Sequence, residues 1–181
     1  MEPNFVGIDL VELNKIVSRA QTGERLRMDL SDSEIHLQLI GGFEKSFRLP
    51  LIEASDEEIN FPKHKYDCTV QVNARVFKEA LKDASIFGSA VVLRVKGGQL
   101  FIEAKGSHGN LSSVSKDSKL IKVTAQGEVT AKFSLNFLQN IVKDADSDEK
   151  ILLELKSDSP MKISYKVDNT EIRFFLAHML L

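Results

Sequence analysis

The chain has 181 residues, 43% apolar and 28% charged, enough for a buried core in one domain or two small lobes. Its net charge of −2 gives no overall basic excess, which argues against tight gripping of nucleic acid phosphates; any contact with DNA has to be loose or confined to one face. The single cysteine, Cys68, excludes an internal disulfide and a zinc pattern, and no apolar run approaches the ~20 residues of a membrane span. The start, Met1-Glu2-Pro3-Asn4, has no signal-peptide pattern, so the expectation is a soluble intracellular protein.

A first helix is predicted over residues 10–20, where Leu10, Leu13, Ile16, Val17 and Ala20 share one face, Asp9 caps and Gly23 follows. The period then drops to two in residues 26–30 and 35–39, strands with one face buried, joined by Ser31-Asp32-Ser33. Residues 53–65 read as an exposed extended connector, with acids first, then Ile59 and Phe61, then Pro62 and bases. A second helix, 74–86, turns Phe77, Ala80, Leu81 and Ala84 inward, with Asn73 as its cap and Gly88 past its end. Strands at 91–95 and 100–104 flank a Gly97-Gly98 hairpin turn. A third helix, 135–145, turns Leu135, Leu138, Ile141, Val142 and Ala145 inward behind a Ser134 cap. Strands at 151–155 and 172–176 follow, with turns at Ser157-Asp158-Ser159-Pro160 and Asp168-Asn169. The class is α+β: antiparallel sheets covered on one side by a few helices.

The helices repeat. Placing Leu10 on Leu135, an offset of 125, also puts Leu13 on Leu138, Ile16 on Ile141, Val17 on Val142 and Ala20 on Ala145. The register continues without a gap, Glu24 meeting Glu149 and Leu30 meeting Leu155. A looser match, at an offset of 61, sets Lys82-Asp83-Ala84 on Lys143-Asp144-Ala145. The unit is strand–helix–strand–strand, present three times. The second and third copies build a back lobe. The first stands alone before the connector, so the first half of a front lobe is expected upstream of Met1.

Signals for an enzyme are thin. His36, His64, His108 and His178 are scattered without metal-ligand spacing, and neither a nucleophile elbow nor a phosphate loop is present. Cys68 reads as a packed thiol and Asp56-Glu57-Glu58 as a solvated acid run. No catalytic residue, metal or cofactor is expected.

Several segments, in order along the whole chain, resemble one family. They are Phe5-Val6-Gly7-Ile8-Asp9-Leu10 running into Leu13-Asn14-Lys15-Ile16, the connector 57–68 with Pro62 and Tyr66, and Ala104-Lys105-Gly106 through Gly109-Asn110. Ser157-Asp158-Ser159-Pro160-Met161 and Phe174-Phe175-Leu176-Ala177 complete the series. The chain resembles the proliferating cell nuclear antigen family, the DNA sliding clamps. That resemblance implies a DNA clamp fold and domains over 1–52 (a partial N-terminal clamp domain) and 66–181 (a C-terminal clamp domain), joined by the connector 53–65. In the family, lobes close into a ring with helices lining the hole and sheets outside. The chain would be a processivity factor holding replication and repair proteins on duplex DNA, in the nucleus of a eukaryote or the cytoplasm and nucleoid of an archaeon.

The resemblance implies three sets of residues. Lys15, Arg19, Arg75, Lys78, Lys82 and Lys143 would face DNA, weakly and without reading bases. By composition alone these are ordinary solvated helix faces, offset by Glu12, Glu79, Asp83 and Asp144, and Asn136 stands where relatives often carry a base. Ile59, Phe61, Pro62, Tyr66, Pro160, Phe175, Leu176 and Ala177 would line a pocket for short peptides of DNA polymerases, nucleases, ligases and clamp loaders. Without the resemblance, Ile59 and Phe61 equally read as pins holding the linker to a sheet, and His178 replaces the family's usual proline. Head-to-tail joining into a trimer would use edge strands at 45–52 and 111–116, through Lys45, Phe47, Leu49, Leu111, Ser113, Val114 and Lys116. A shortened clamp paralogue that binds partners without encircling DNA is the alternative reading, and an enzyme hidden in an α+β domain is a second.

Overall fold

In the computed structural model, which describes residues 6–53, 65–116 and 119–180, the alternating segments become antiparallel strands and the three periodic segments become helices. Contacts divide the chain into two units, Met1–Phe61 and Pro62–Leu181. The predicted connector lies mostly outside the described residues.

The first unit carries α1 (Leu10–Val17) and an antiparallel meander of β1 (Arg25–Leu30), β2 (Glu34–Ile40) and β3 (Glu44–Pro50). Asp9 caps α1 as expected: its Oδ1 accepts from Val11 N at 2.8 Å and Glu12 N at 3.2 Å. The helix stops three residues before the predicted end. Arg19 N and Ala20 N turn back to the carbonyls of Ile16 and Val17, the tighter bonding that closes a last turn.

In the meander, Leu26 pairs with Leu39, Met28 with Leu37 and Leu30 with Ile35. On the other side of β2, Leu37 pairs with Phe47, Leu39 with Lys45 and Ile35 with Leu49. Directly opposed residues point to one face, so all of these share it. Ile35, Leu37 and Leu39 are buried, and Leu13 and Ile16 of α1 are half-buried. β1 corrects the expectation of one buried face: it is exposed along its whole length, with Leu26 at 41%, Met28 at 60% and Leu30 at 48%. Helix α1 buries no residue fully and leaves Leu10 at 73%. The reason is coverage. Helix α1 packs against β3, at the far side of the sheet, and no described element covers β1.

The second unit runs β4 (Cys68–Asn73), α2 (Ala74–Ser85), β5 (Ala90–Lys96), β6 (Gln99–Gly106), β7 (Gly109–Val114) and β8 (Ile121–Ala125). It continues through β9 (Val129–Ser134), α3 (Leu135–Val142), β10 (Lys150–Leu155), β11 (Met161–Val167) and β12 (Thr170–Leu176). Its sheets have the orders β12-β11-β10-β4-β8 and β7-β6-β5-β9. The repeat is one strand longer than predicted: a strand, a helix and a three-stranded meander, once from β4 to β7 and once from β9 to β12. Each repeat lends its first strand to the other. β4 pairs with β10 and β9 pairs with β5.

Helices α2 and α3 close one core against both sheets. Phe77, Leu81, Leu138, Val91, Leu93, Ile151 and Leu153 are fully buried, and Ala80 and Ile141 pack at its margin. Burial of each large apolar side chain contributes about 1.5–3 kcal/mol. Asn73 caps α2 through Val76 N at 3.3 Å. Ser134 occupies the cap position of α3 but makes no side-chain cap bond; Leu135 N bonds to the Ser89 carbonyl instead. Helix α3 ends at Val142, with Ala145 N reaching back to the Val142 carbonyl. Gly97 and Gly98, at φ +57 and +76, form the predicted two-residue hairpin between Lys96 and Gln99.

Candidate nucleic-acid and partner surfaces

Of the predicted DNA-facing cations of the second unit, Arg75, Lys78 and Lys82 lie on α2 and Lys143 just past the end of α3, and the two helices pack side by side and bond to each other. Lys78 Nζ, on α2, donates to the carbonyl of Lys143 at 2.8 Å and to that of Ala145. Gln139 Nε2, on α3, donates to the Leu81 carbonyl at 3.3 Å. Lys78 therefore sits at the C-terminal end of α3, where carbonyls lack helical partners and the helix dipole is negative. Its ammonium ties the helices together rather than projecting freely.

The remaining cations make a weak field. Lys82 pairs with Glu79 at 2.7 Å on the surface of α2. Arg75 and Lys143 are exposed, and among the described residues no ion pair engages either. Asn136 is exposed and accepts from Asn140 Nδ2 at 3.4 Å. In the first unit Lys15 pairs with Glu12 at 2.6 Å, a hydrogen bond that raises the lysine pKa, and Arg19 is exposed. Acids thus pair with two of the six predicted cations, Lys15 and Lys82, and such exposed pairs contribute little to stability.

Strands β3 and β7 each lie at the edge of a sheet. The predicted contact side chains of β3 face the covered side: Lys45, Phe47 and Leu49 are half-buried, while Glu44, Ser46, Arg48 and Pro50 are exposed. Lys45 Nζ lies 2.6 Å from Glu24 Oε1 and reaches the Arg19 carbonyl, pinning β3 to the end of α1. What β3 offers outward is its backbone and the alternate side chains. On β7, Leu111 and Ser113 are half-buried, and Leu111 packs against the core. Val114, at 41%, and Lys116 are exposed.

Of the predicted pocket, Ile59, Phe61 and Pro62 lie outside the described residues. Tyr66 is half-buried, and burial together with the charge of Glu154 raises its pKa. Pro160 and Phe175 are half-buried, Ala177 is exposed, and Leu176 is buried in the core at 8%. Phe175 and Leu176 lie on β12, paired with Lys162 and Met161 of β11. Cys68 is buried and its thiol is pushed up to about 11 by desolvation, as a packed thiol would be.

Sequence reading missed two open cavities. One, of about 700 Å³, is walled by Lys116, Lys119, Lys122 and Lys150 with Gln71 and Gln99. The other, of about 680 Å³, lies beside Glu103, Lys105, Asn110 and Lys132. Their residues come from separate strands: the pairing of β4 with β8 and β10 brings Gln71, Lys122 and Lys150 of the first together, while Gln99 begins β6 of the other sheet and Lys116 follows β7. No local motif carries that information. No group of three or more His, Cys, Asp or Glu among the described residues could hold a metal. No helix among them is long and apolar enough to cross a membrane.

Strand-exchanged helix-and-meander repeats, with weakly charged helix faces and bare sheet edges, define a clamp-like α+β protein. Residues 60–179 match the family described as proliferating cell nuclear antigen, C-terminal domain. The chain is 33% identical over 178 residues to a DNA polymerase sliding clamp of Methanothrix thermoacetophila, a match spanning 97% of this chain and 72% of that protein. It is 27% identical over 180 residues to the DNA polymerase sliding clamp of Methanococcus maripaludis, covering 95% and 72%. Among solved structures, PCNA from Thermococcus kodakaraensis superposes with a TM-score of 0.87 at 19% identity, covering 99% of this chain and 75% of that one. A PCNA from A. fulgidus bound to the C-terminal region of FEN-1 superposes with a TM-score of 0.85 at 22% identity, covering 97% and 72%. The chain belongs to the proliferating cell nuclear antigen family of DNA sliding clamps, replication processivity factors that are scaffolds and not enzymes.

Proposed function

We propose that this chain is a sliding-clamp subunit that joins copies head to tail through β3 and β7 and presents its helices to duplex DNA. It would hold polymerases and nucleases there through short peptides. The observation that carries the reading is the family match over residues 60–179, together with two sheets that end in bare edge strands. An edge strand with unpaired backbone groups is a template for another strand. A trimer closes if the head-to-tail angle returns on itself. The helix face suits sliding: Arg75, Lys82 and Lys143 supply positive charge, while Glu79 moderates it. Retention would be topological, so no tight phosphate contact is needed. The A. fulgidus relative binds the C-terminal region of FEN-1. By likeness, the surface beside Tyr66, Pro160 and Phe175 is the place where such a peptide would lie on this chain, and the domain limits 1–52, 53–65 and 66–181 follow the same likeness.

The exposed apolar residues of α1 and β1 favour a second reading, an interaction protein of this fold that does not encircle DNA. Light scattering separates the two. A clamp subunit gives a complex built on threes, and Val114→Asp on β7 or Arg48→Glu on β3 dissolves that three-fold step. A chain whose mass ignores both substitutions is not joined head to tail, and the clamp reading fails. Retention on circular but not linearised DNA after loading is the matching functional result.

A further inference from the structure

We propose that the lysine-walled cavity of the Pro62–Leu181 unit binds a compact anion carrying several linked phosphates. Four ammonium groups, from Lys116, Lys119, Lys122 and Lys150, surround a space of about 700 Å³, and no Asp or Glu is among its described lining residues. That concentration stands in a chain whose net charge is −2. Among the described residues no ion pair engages any of the four. Elsewhere the pattern is different: Lys15, Lys45, Lys82, Lys96 and Lys162 each pair with a glutamate. Ammonium groups that converge without acids repel one another, and an anion held between them relieves that repulsion.

The cavity is built across the seam between the unit's two sheets. One wall is the five-stranded sheet. Val70 and Val72 of β4 are buried in the core, so Gln71 between them points to the opposite face. Lys122 of β8 stands opposite Gln71, between Ile121 and Val123, which pack against the core. Lys150 of β10 precedes the buried Ile151 and stands opposite Asn73, two positions further along β4. The two lysines therefore leave the same face on either side of β4, roughly 12 Å apart at the backbone. Helices α2 and α3 pack on the core side, so these lysines are separate from the predicted DNA-facing cations.

The other wall is the four-stranded sheet. Here the Gly97-Gly98 turn leads into Gln99, whose Nε2 donates to the Ser115 carbonyl at 3.1 Å. Leu100 N donates to Ser115 Oγ at 2.8 Å, and Ser115 N donates to the Leu100 carbonyl at 2.8 Å. These three bonds fix the end of β7 against the start of β6 and so set where Lys116 leaves the sheet.

The chemistry of the walls selects a phosphate chain. A lysine ammonium is a compact point charge with three donors, suited to tetrahedral oxygens approached from several directions. Carboxylates are matched better by the planar fork of arginine, and no arginine is among the described lining residues. Several ammonium groups around one space call for a ligand with several closely spaced charges. The volume is in the range that encloses a small molecule. A nucleic-acid strand fits less well. Its sites combine a groove that tracks the backbone with aromatic side chains for the bases, and no aromatic is among the described lining residues.

Calorimetric titration of the whole chain in magnesium-free buffer tests the site. Inorganic tripolyphosphate should bind one per chain, and orthophosphate far more weakly. Lys122→Gln/Lys150→Gln should weaken tripolyphosphate binding about a hundredfold, about tenfold for each charged hydrogen bond lost. Lys156→Gln/Lys166→Gln makes the same charge change at exposed positions outside the cavity and should leave binding unchanged. Lys122 and Lys150 are exposed and lie on the sheet without β7, so neither folding nor head-to-tail joining enters the result. In the unaltered chain, NMR amide shifts on titration should appear first at Gln71, Gly98 and Gln99, a readout that needs no variant. ATP that binds tighter than tripolyphosphate assigns the phosphate chain to a nucleotide, and ATP that binds no tighter assigns it to the free anion; both support the site. Absence of saturable binding, or an equal loss in the two double variants, overturns it. So does a short oligothymidylate that binds tighter than tripolyphosphate with the same dependence on Lys122 and Lys150, which would assign the cavity to a nucleic-acid strand.

Discussion

Arg94 and Glu103 show how a single pair is fixed by strand register. They lie on the adjacent strands β5 and β6, and Arg94 Nη2 donates to Glu103 Oε1 at 2.6 Å while its guanidinium stacks over Phe101, 4.3 Å from the ring centre. The Arg94 bond holds the Glu103 carboxyl below the usual glutamate range, against the opposing effect of burial. A carboxylate pKa lowered by folding stabilises the fold above the unfolded value and loses that contribution as pH falls through the folded value. Glu103→Gln should therefore cost roughly 1 kcal/mol at neutral pH. In urea titrations from pH 7 to below pH 4 the gap between wild type and variant should close; a constant gap would mean that the charge contributes nothing.

At the scale of elements, Lys78 matters more to helix packing than its place among surface cations suggests. It joins α2 to the end of α3, so Lys78→Met should lower stability by about 1–2 kcal/mol in chemical denaturation. Lys143→Ala, at an exposed position without such a bond, should stay within about 0.5 kcal/mol. The contrast also shows where sequence reading reaches. Helix faces were legible because Phe77, Leu81, Leu138 and Val142 recur at helical spacing and are buried accordingly. Strands 26–30 and 151–155 have the same alternation, yet Leu153 is buried and Met28 is not. Periodicity reports which residues share a face and says nothing of whether another element covers it. β8 and β9 went unread for the complementary reason, that partners far along the chain set their place, and β11 went unread as well. β11 pairs with its chain neighbours, but β8 and β9 pair with β4 and β5. Lys78 was unreadable as a helix tie because its acceptors lie 65 and 67 residues away.

For the whole molecule, the repeat arithmetic was the most informative signal. It located three related units in one chain, and the second and third are the two halves of the Pro62–Leu181 unit. It could not foresee the exchange of first strands, because an offset records likeness and not pairing. That exchange has a consequence for how the unit comes apart. β4 completes its sheet only when β10, some eighty positions later, has arrived, and β5 is flanked on its far side only by β9. Neither half can melt while the other persists, since each would strip a strand from its neighbour. Native-state hydrogen exchange should show amides of β4 and β9 opening together, at the same free energy and in one cooperative event. Folding, in turn, has to wait for contacts of long sequence separation, which puts it among the slower topologies.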